Sequence, residues 1–286
     1  DCFDAWVDEL LTCGYLHNHA RMWFASIWVF TLELPWQLGA DFFYRHLLDG
    51  DPASNTLSWR WVSGLHTPGK TYLATASNIA KFTNNRFHPD GQLATYAPAP
   101  ARPYVYPLDP LPRPQQLEPN ERFGLLITED DCFPESILAT HAPAVVIGVT
   151  ATQMRSPLPV GLPAQQFVNG AVSDAVQRSA QEFSIHGEIT PSQDWADTLL
   201  KWAKQHDLKT IATPYAPVGP VAELLGDAIE KLAHHDIRLL QLGRPYDILV
   251  WPHASRGFFK LKDKIPAMLE RIGILPDQAE THEKAG

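Results

Sequence analysis

Three polar or soft side chains share one face of an otherwise apolar segment: Asn18, Arg21 and Met22, at i, i+3 and i+4. A buried arginine is costly without a carboxylate. Asp49 and Asp51 stand one helix further on and are the obvious partners. Asn55 and Trp59, at i and i+4, share a face of the helix after that. A cation, two carboxylates and two amides beside oxidisable rings could bind a polar planar group and carry electrons. A helix-bundle salt bridge with a capping aspartate would use the same residues. Tryptophan is abundant, with nine in 286 residues. Core packing accounts for such rings as readily as ring stacking or an electron path does.

The elements that must position these residues can be read from pattern. Phe3, Trp6, Val7, Leu10 and Leu11 mark one buried helix face, and Gly14 ends it. A second helix is predicted over His17–Leu32. Pro35 and Gly39 interrupt the pattern, and a third helix covers roughly Ala40–Leu48. Asp51 caps a fourth helix, with Pro52 at its first position, running to about Val62. Nine prolines between Pro89 and Pro119 make residues 86–121 an extended linker. From 122 to 276 the period changes. Short apolar runs at Phe123–Thr128 and Ala144–Val149, with strands at Thr210–Thr213 and Ile237–Leu242, alternate with helices at Trp195–His206 and Val221–His234. That order predicts a small open α/β sheet. The expected organisation is thus a helical unit (1–85), a linker (86–121), an α/β domain (122–276) and a polar tail (277–286).

The net charge of −9 argues against nucleic-acid binding through bulk charge, though not against a local basic groove. Three scattered cysteines form neither a disulfide framework nor a zinc site, and a reducing cytoplasm fits them. No signal peptide is recognisable, and Met22–Leu34, the most apolar stretch, is too short and polar to span a membrane. The chain opens on Asp1 and enters a helical pattern at once, so a partner domain upstream is expected.

The string Gly14-Tyr15-Leu16-His17-Asn18-His19-Ala20-Arg21-Met22 resembles the His-Asn-x-x-Arg-Met signature of the photolyase/cryptochrome family. Asp49-Gly50-Asp51, Asn55 and Trp59-Arg60-Trp61 resemble its Asp-Gly-Asp, Asn and Trp-x-Trp block, with Trp36 in between. The resemblance covers residues 1–85 and implies the C-terminal part of an all-helical FAD-binding domain, followed here by a Rossmann-like α/β domain. It implies that Asn18, Asp49, Gly50 and Asp51 line an FAD pocket. Arg21 would pair with Asp49 beside the ring, and Asn55 would face the flavin N5. Trp59 and Trp36 would be the first two members of an electron-transfer chain, with the third upstream of Asp1. Met22 and Trp61 would touch the lesion in damaged DNA. The implied activity is that of a deoxyribodipyrimidine photolyase. A cryptochrome-like signalling or redox flavoprotein, or a non-catalytic scaffold with a degenerate flavin fold, are the other readings. Relatives acting on the (6-4) lesion carry histidines at the positions of Asn18 and Met22, which favours the cyclobutane dimer. Tyr15 and His19 depart from the commoner tryptophan and arginine. A second antenna chromophore is left without an assignment. Trp195–Leu242 weakly resembles part of an antenna domain, although in the family that segment precedes the flavin domain; a generic α/β module is the alternative.

Other signals are weaker. Gly64–Thr71 fits the P-loop pattern but follows a helix, with no clear helix after it. His17 and His19 fall on different helix faces, and His234-His235 reads as a solvated helix end. Asp130 and Asp131 follow a strand, so they mark either a ligand site at the sheet's carboxyl edge or a turn. Trp251 to Lys260 could be a docking loop, for another domain or for DNA.

Overall fold

The structure is a computed structural model that describes residues 1–66, 70–98, 107, 109–113, 115–138, 141–255 and 258–274. The P-loop-like string therefore lies partly outside the described residues, as does the tail.

In the helical half, α1 (Cys2–Cys13) buries Cys2, Trp6 and Leu10. It ends at Gly14, whose left-handed backbone (φ 66°) lets its N–H reach the Leu10 carbonyl at 2.9 Å. The expected second helix is α2 (Asn18–Ser26), continued by one π-turn at Ile27–Thr31. Helix α3 (Trp36–His46) begins earlier than its sequence suggests and runs straight through Gly39. The reason is packing: a Cβ at residue 39 would lie 2.2 Å from the Trp59 ring. Glycine here is a docking surface for an indole rather than a helix breaker. Helix α4 (Pro52–Val62) starts as expected, with Asp51 Oδ1 accepting from the Ser54 N–H at 2.6 Å. A short α5 (Ala76–Phe82), capped by Thr75, stands where sequence reading found no clear helix. The core of this half is built from rings, with Trp6, Trp23, Phe24, Phe43 and Trp59 all buried.

Between Phe82 and Gly124 the described residues contain no helix or strand. The chain is nevertheless pinned. Phe87 packs edge-on against Trp6 at 6.0 Å, the Ala94 N–H donates to Thr31 Oγ1 at 3.1 Å, and Gln115 bridges to Leu242.

The second half is a five-stranded parallel sheet of order β3-β2-β1-β4-β5. Its strands are β1 (Gly124–Ile127), β2 (Val145–Gly148), β3 (Gly187–Ile189), β4 (Thr210–Pro214) and β5 (Arg238–Leu242). The first, second, fourth and fifth match the expected strands. A four-residue helix, α6 (Glu135–Leu138), lies between β1 and β2. One face is covered by α8 (Trp195–Gln205) and α9 (Pro220–Ala233), through Trp195, Leu199, Leu225 and Leu232. The other face takes α7 (Leu162–Phe183), through Val168, Val172 and Val176. Sequence order reverses between β1 and β4. Crevices at the strands' carboxyl ends beside such a reversal are where open α/β sheets bind ligands.

A cavity and a crevice on either side of one loop

A cavity of about 580 Å³ opens between α2, α3 and α4. Asn18, Arg21, Met22, Asp49, Gly50, Asp51, Asn55, Trp59 and Trp61 all line it, so one site gathers every residue that the family resemblance assigned to cofactor, electron path or lesion except Trp36. Arg21 is the organising group. Its Nε donates to the Leu16 carbonyl at 2.8 Å, and its Nη2 reaches both Asp49 oxygens at 3.0 Å. The pair is charge-assisted, one nitrogen shared between two carboxylate oxygens, and it ties α2 to the loop after α3. Asn18 Nδ2 approaches Met22 Sδ at 4.0 Å along the same helix face. Asn55 Nδ2 donates to the Ala40 carbonyl at 2.8 Å, which fixes its amide while the residue still borders the cavity. Trp59 forms the dry wall, 2% exposed, edge-on to Phe43 at 5.0 Å. Trp61 is half open and stacked on Tyr72 at 5.8 Å.

The Asp49–Asp51 loop also borders a smaller cavity of about 270 Å³ between the two halves of the molecule. Glu129, Asp130 and Arg155, from the carboxyl ends of β1 and β2, face Tyr44 and Asp51 there. Burial, then the charges of Glu129 and Asp51, push Asp130 up to about 6. Burial likewise raises Glu129, although it accepts hydrogen bonds from the Ala151 N–H at 2.8 Å and the Thr152 hydroxyl at 3.3 Å. Asp131 is structural. It accepts from the Phe133 N–H at 2.9 Å and pairs with Arg244. Among the described residues no His, Cys, Asp or Glu cluster is placed to hold a metal, and no helix is long and apolar enough to cross a membrane.

Residues 1–122 match the family described as the FAD binding domain of DNA photolyase. Similar proteins include a deoxyribodipyrimidine photo-lyase of Alkalihalophilus pseudofirmus, 34% identical over 96 residues, which are 33% of this chain and 20% of that one. A deoxyribodipyrimidine photo-lyase of Streptomyces griseus is 45% identical over 64 residues, 22% of this chain and 14% of its own. Cryptochrome-1 of Arabidopsis thaliana is 34% identical over 89 residues, 31% of this chain and 13% of its own. Residues 1–122 are thus similar to the FAD-binding domain of the photolyase/cryptochrome family. The stretch the chain shares with these three photolyase and cryptochrome relatives is a fifth of their length or less.

Within this photolyase-type half the tryptophans divide. Trp36 lies under the Arg60 guanidinium, 5.9 Å from its ring centre, and does not border the cavity. The rings in contact with Trp59 are Phe24, Phe43 and Trp28, the last edge-on at 6.2 Å. Sequence reading missed that role for Trp28, because the π-turn that carries it leaves no mark in hydrophobic periodicity. It also missed Arg155, which reaches the loop from more than a hundred residues away and has no local signature.

Proposed function

We propose that this chain is part of a photolyase-like flavoprotein that holds FAD in the larger cavity and uses it for light-driven electron transfer to cyclobutane pyrimidine dimers in damaged DNA. The observation that carries this reading is the gathering of Asn18, Arg21, Asp49, Asn55 and Trp59 around one cavity, in a chain whose first 122 residues match a flavin-binding family. The donor set fits the group. A guanidinium fixed by a carboxylate suits a polar ring that gains negative charge, and an aromatic wall excludes water from it. When bound, FAD supplies light absorption and one-electron chemistry. The chain's own residues bind and orient. Arg21 and Asp49 hold one edge of the cavity, Asn18 and Asn55 present amides, and Trp59 seals the inner wall as the first member of an electron chain in which Trp36 is the expected next. Met22 and the half-open Trp61 would form the apolar and aromatic contacts for a flipped lesion. The residues described form one wall; an upstream part of the same domain would complete the pocket.

Protein carrying this chain together with its upstream part, purified in the dark, should show flavin absorbance, and blue light should restore dimer-containing oligonucleotide. Asn55→Ala or Trp61→Ala should lower repair at least tenfold; normal repair by either variant would remove that residue from the site. The similarity to Cryptochrome-1 supports a second reading, a signalling flavoprotein that binds flavin but leaves dimers intact. Absence of flavin absorbance in that longer protein would leave only a scaffold.

A further inference from the structure

We propose that Arg155, carried by the α/β half, is a positioning residue for the Asp49–Asp51 loop of the cofactor cavity. The inference rests on the flavin reading only for what the cavity holds; the clamp itself stands on contacts. Arg155 follows the short turn after β2, and its Nη1 donates to the Leu47 carbonyl at 3.1 Å and the Tyr44 carbonyl at 3.3 Å. Those carbonyls lie at the C-terminal end of α3, where a helix leaves acceptors unmatched and favours a cation. The guanidinium also covers the Tyr44 ring, 5.2 Å from its centre. It also stands beside the loop: a Cβ added to Gly50 would sit 3.1 Å from Arg155 Nη1.

Two further contacts from the α/β half bracket the same segment. Arg45 Nη1 donates to the Pro159 carbonyl and the Arg45 carbonyl accepts from the Gly161 N–H, both at 2.9 Å. Pro52 packs against Gly219 at the start of α9, where an added Cβ would meet it at 2.7 Å. From the other side, the Leu48 N–H donates to the Gly14 carbonyl at 2.9 Å. The loop thus hangs between two bodies, with Arg155 at its centre. What it positions is the cavity: Asp49 holds Arg21, and Asp51 caps the helix that carries Asn55 and Trp59. The α/β half thereby sets the geometry of a site whose other walls belong to the helical half.

The test uses the full chain, with and without FAD. In the flavin-free protein, Arg155→Met should speed amide hydrogen exchange at residues 48–55 about tenfold while α1 and β1 stay protected. Arg155→Lys should recover part of that protection, because an ammonium can donate to the same carbonyls but lacks the planar fork. If the wild type binds FAD, Arg155→Met should weaken it about tenfold and shift the bound flavin's absorption spectrum. Unchanged exchange in the loop, or a rise spread evenly over α1 and β1, overturns the proposal. Unaltered affinity and spectrum in a chain whose wild type binds FAD also overturn it. Should Arg155→Met fail to fold, Arg155→Lys decides alone: a rise confined to the loop supports the clamp, and wild-type or uniformly raised exchange refutes it. A wild-type chain that binds no FAD by itself leaves the exchange result to decide the clamp, while the flavin reading is decided by the longer protein that carries the upstream part.

Discussion

The Asp49–Asp51 loop has a cavity on each face, and the two handle charge in opposite ways. Toward the helical half, Arg21 is paired with Asp49, Asp51 is engaged as a helix cap, and Phe43, Trp59 and Trp61 supply the rings of a mixed lining. Toward the sheet, Asp51, Glu129 and Asp130 border the same cavity as Arg155, whose printed hydrogen bonds go to backbone carbonyls, and burial raises both Asp130 and Glu129. Such raised carboxylates make a seam that responds to pH.

The largest test of this contrast removes the aromatic wall. Trp59→Ala should cost about 3–5 kcal/mol of stability, read by urea unfolding, because the ring is buried and its surroundings can only partly collapse. A loss below about 1 kcal/mol would mean that the wall is not part of the core. A smaller effect separates the seam from the cavity. Asp130 is raised in the fold from 3.8 to about 6, so its contribution to stability is full below about 3.8 and is lost as pH climbs through about 6. Asp130→Asn should therefore match the wild type near pH 3.5 and exceed it above pH 6.5. A shift of about two units corresponds to about 3 kcal/mol, which solvent contact at this residue cuts to about 1. Urea midpoints of both proteins at the two pH values provide the measurement, and a pH-independent difference would erase the contrast. The smallest effect concerns the rings behind the cavity. Trp28→Phe should change the near-ultraviolet circular dichroism of Trp59 through their 6.2 Å contact, whereas Trp36→Phe should leave that band in place. Equal effects would put both rings on Trp59.

The contrast also separates what could be read from sequence. Local rules placed α1, the Gly14 cap and the Asp51 cap, because each depends on residues within one turn of each other. The Arg21–Asp49 pair was legible because a cation on an apolar face asks for a partner and few carboxylates stand nearby, although the pair is only partly buried, with Asp49 58% exposed. Gly39 was misread as a breaker, since its reason for being glycine lies 20 residues away in Trp59. Helix α7 escaped notice because its buried stripe includes Ala164, Ala175 and Ser179, small residues with little hydrophobic signal. The seam was invisible as a whole. Its members come from opposite halves of the chain, and only the sheet's order brings Glu129 and Arg155 to Tyr44.

The π-turn at Ile27–Thr31 has a consequence for how this chain can change. It is a helix holding one residue more than its regular spacing allows, with the Leu32 N–H reaching back five positions to Ile27 at 2.8 Å. Deleting a single residue there would restore an ordinary spiral, and because the wide turn absorbs the extra residue, the segments before and after it would keep their faces while the residues inside the turn change places. Arg21 and Met22, before the deletion, would keep their heading toward the cavity. Trp28, inside the turn, would lose its place against Trp59. An aligned relative lacking this residue should accordingly carry a different ring against its counterpart of Trp59. The gap in that alignment would mark where the neighbours of the inner wall were exchanged while the cavity face was inherited intact.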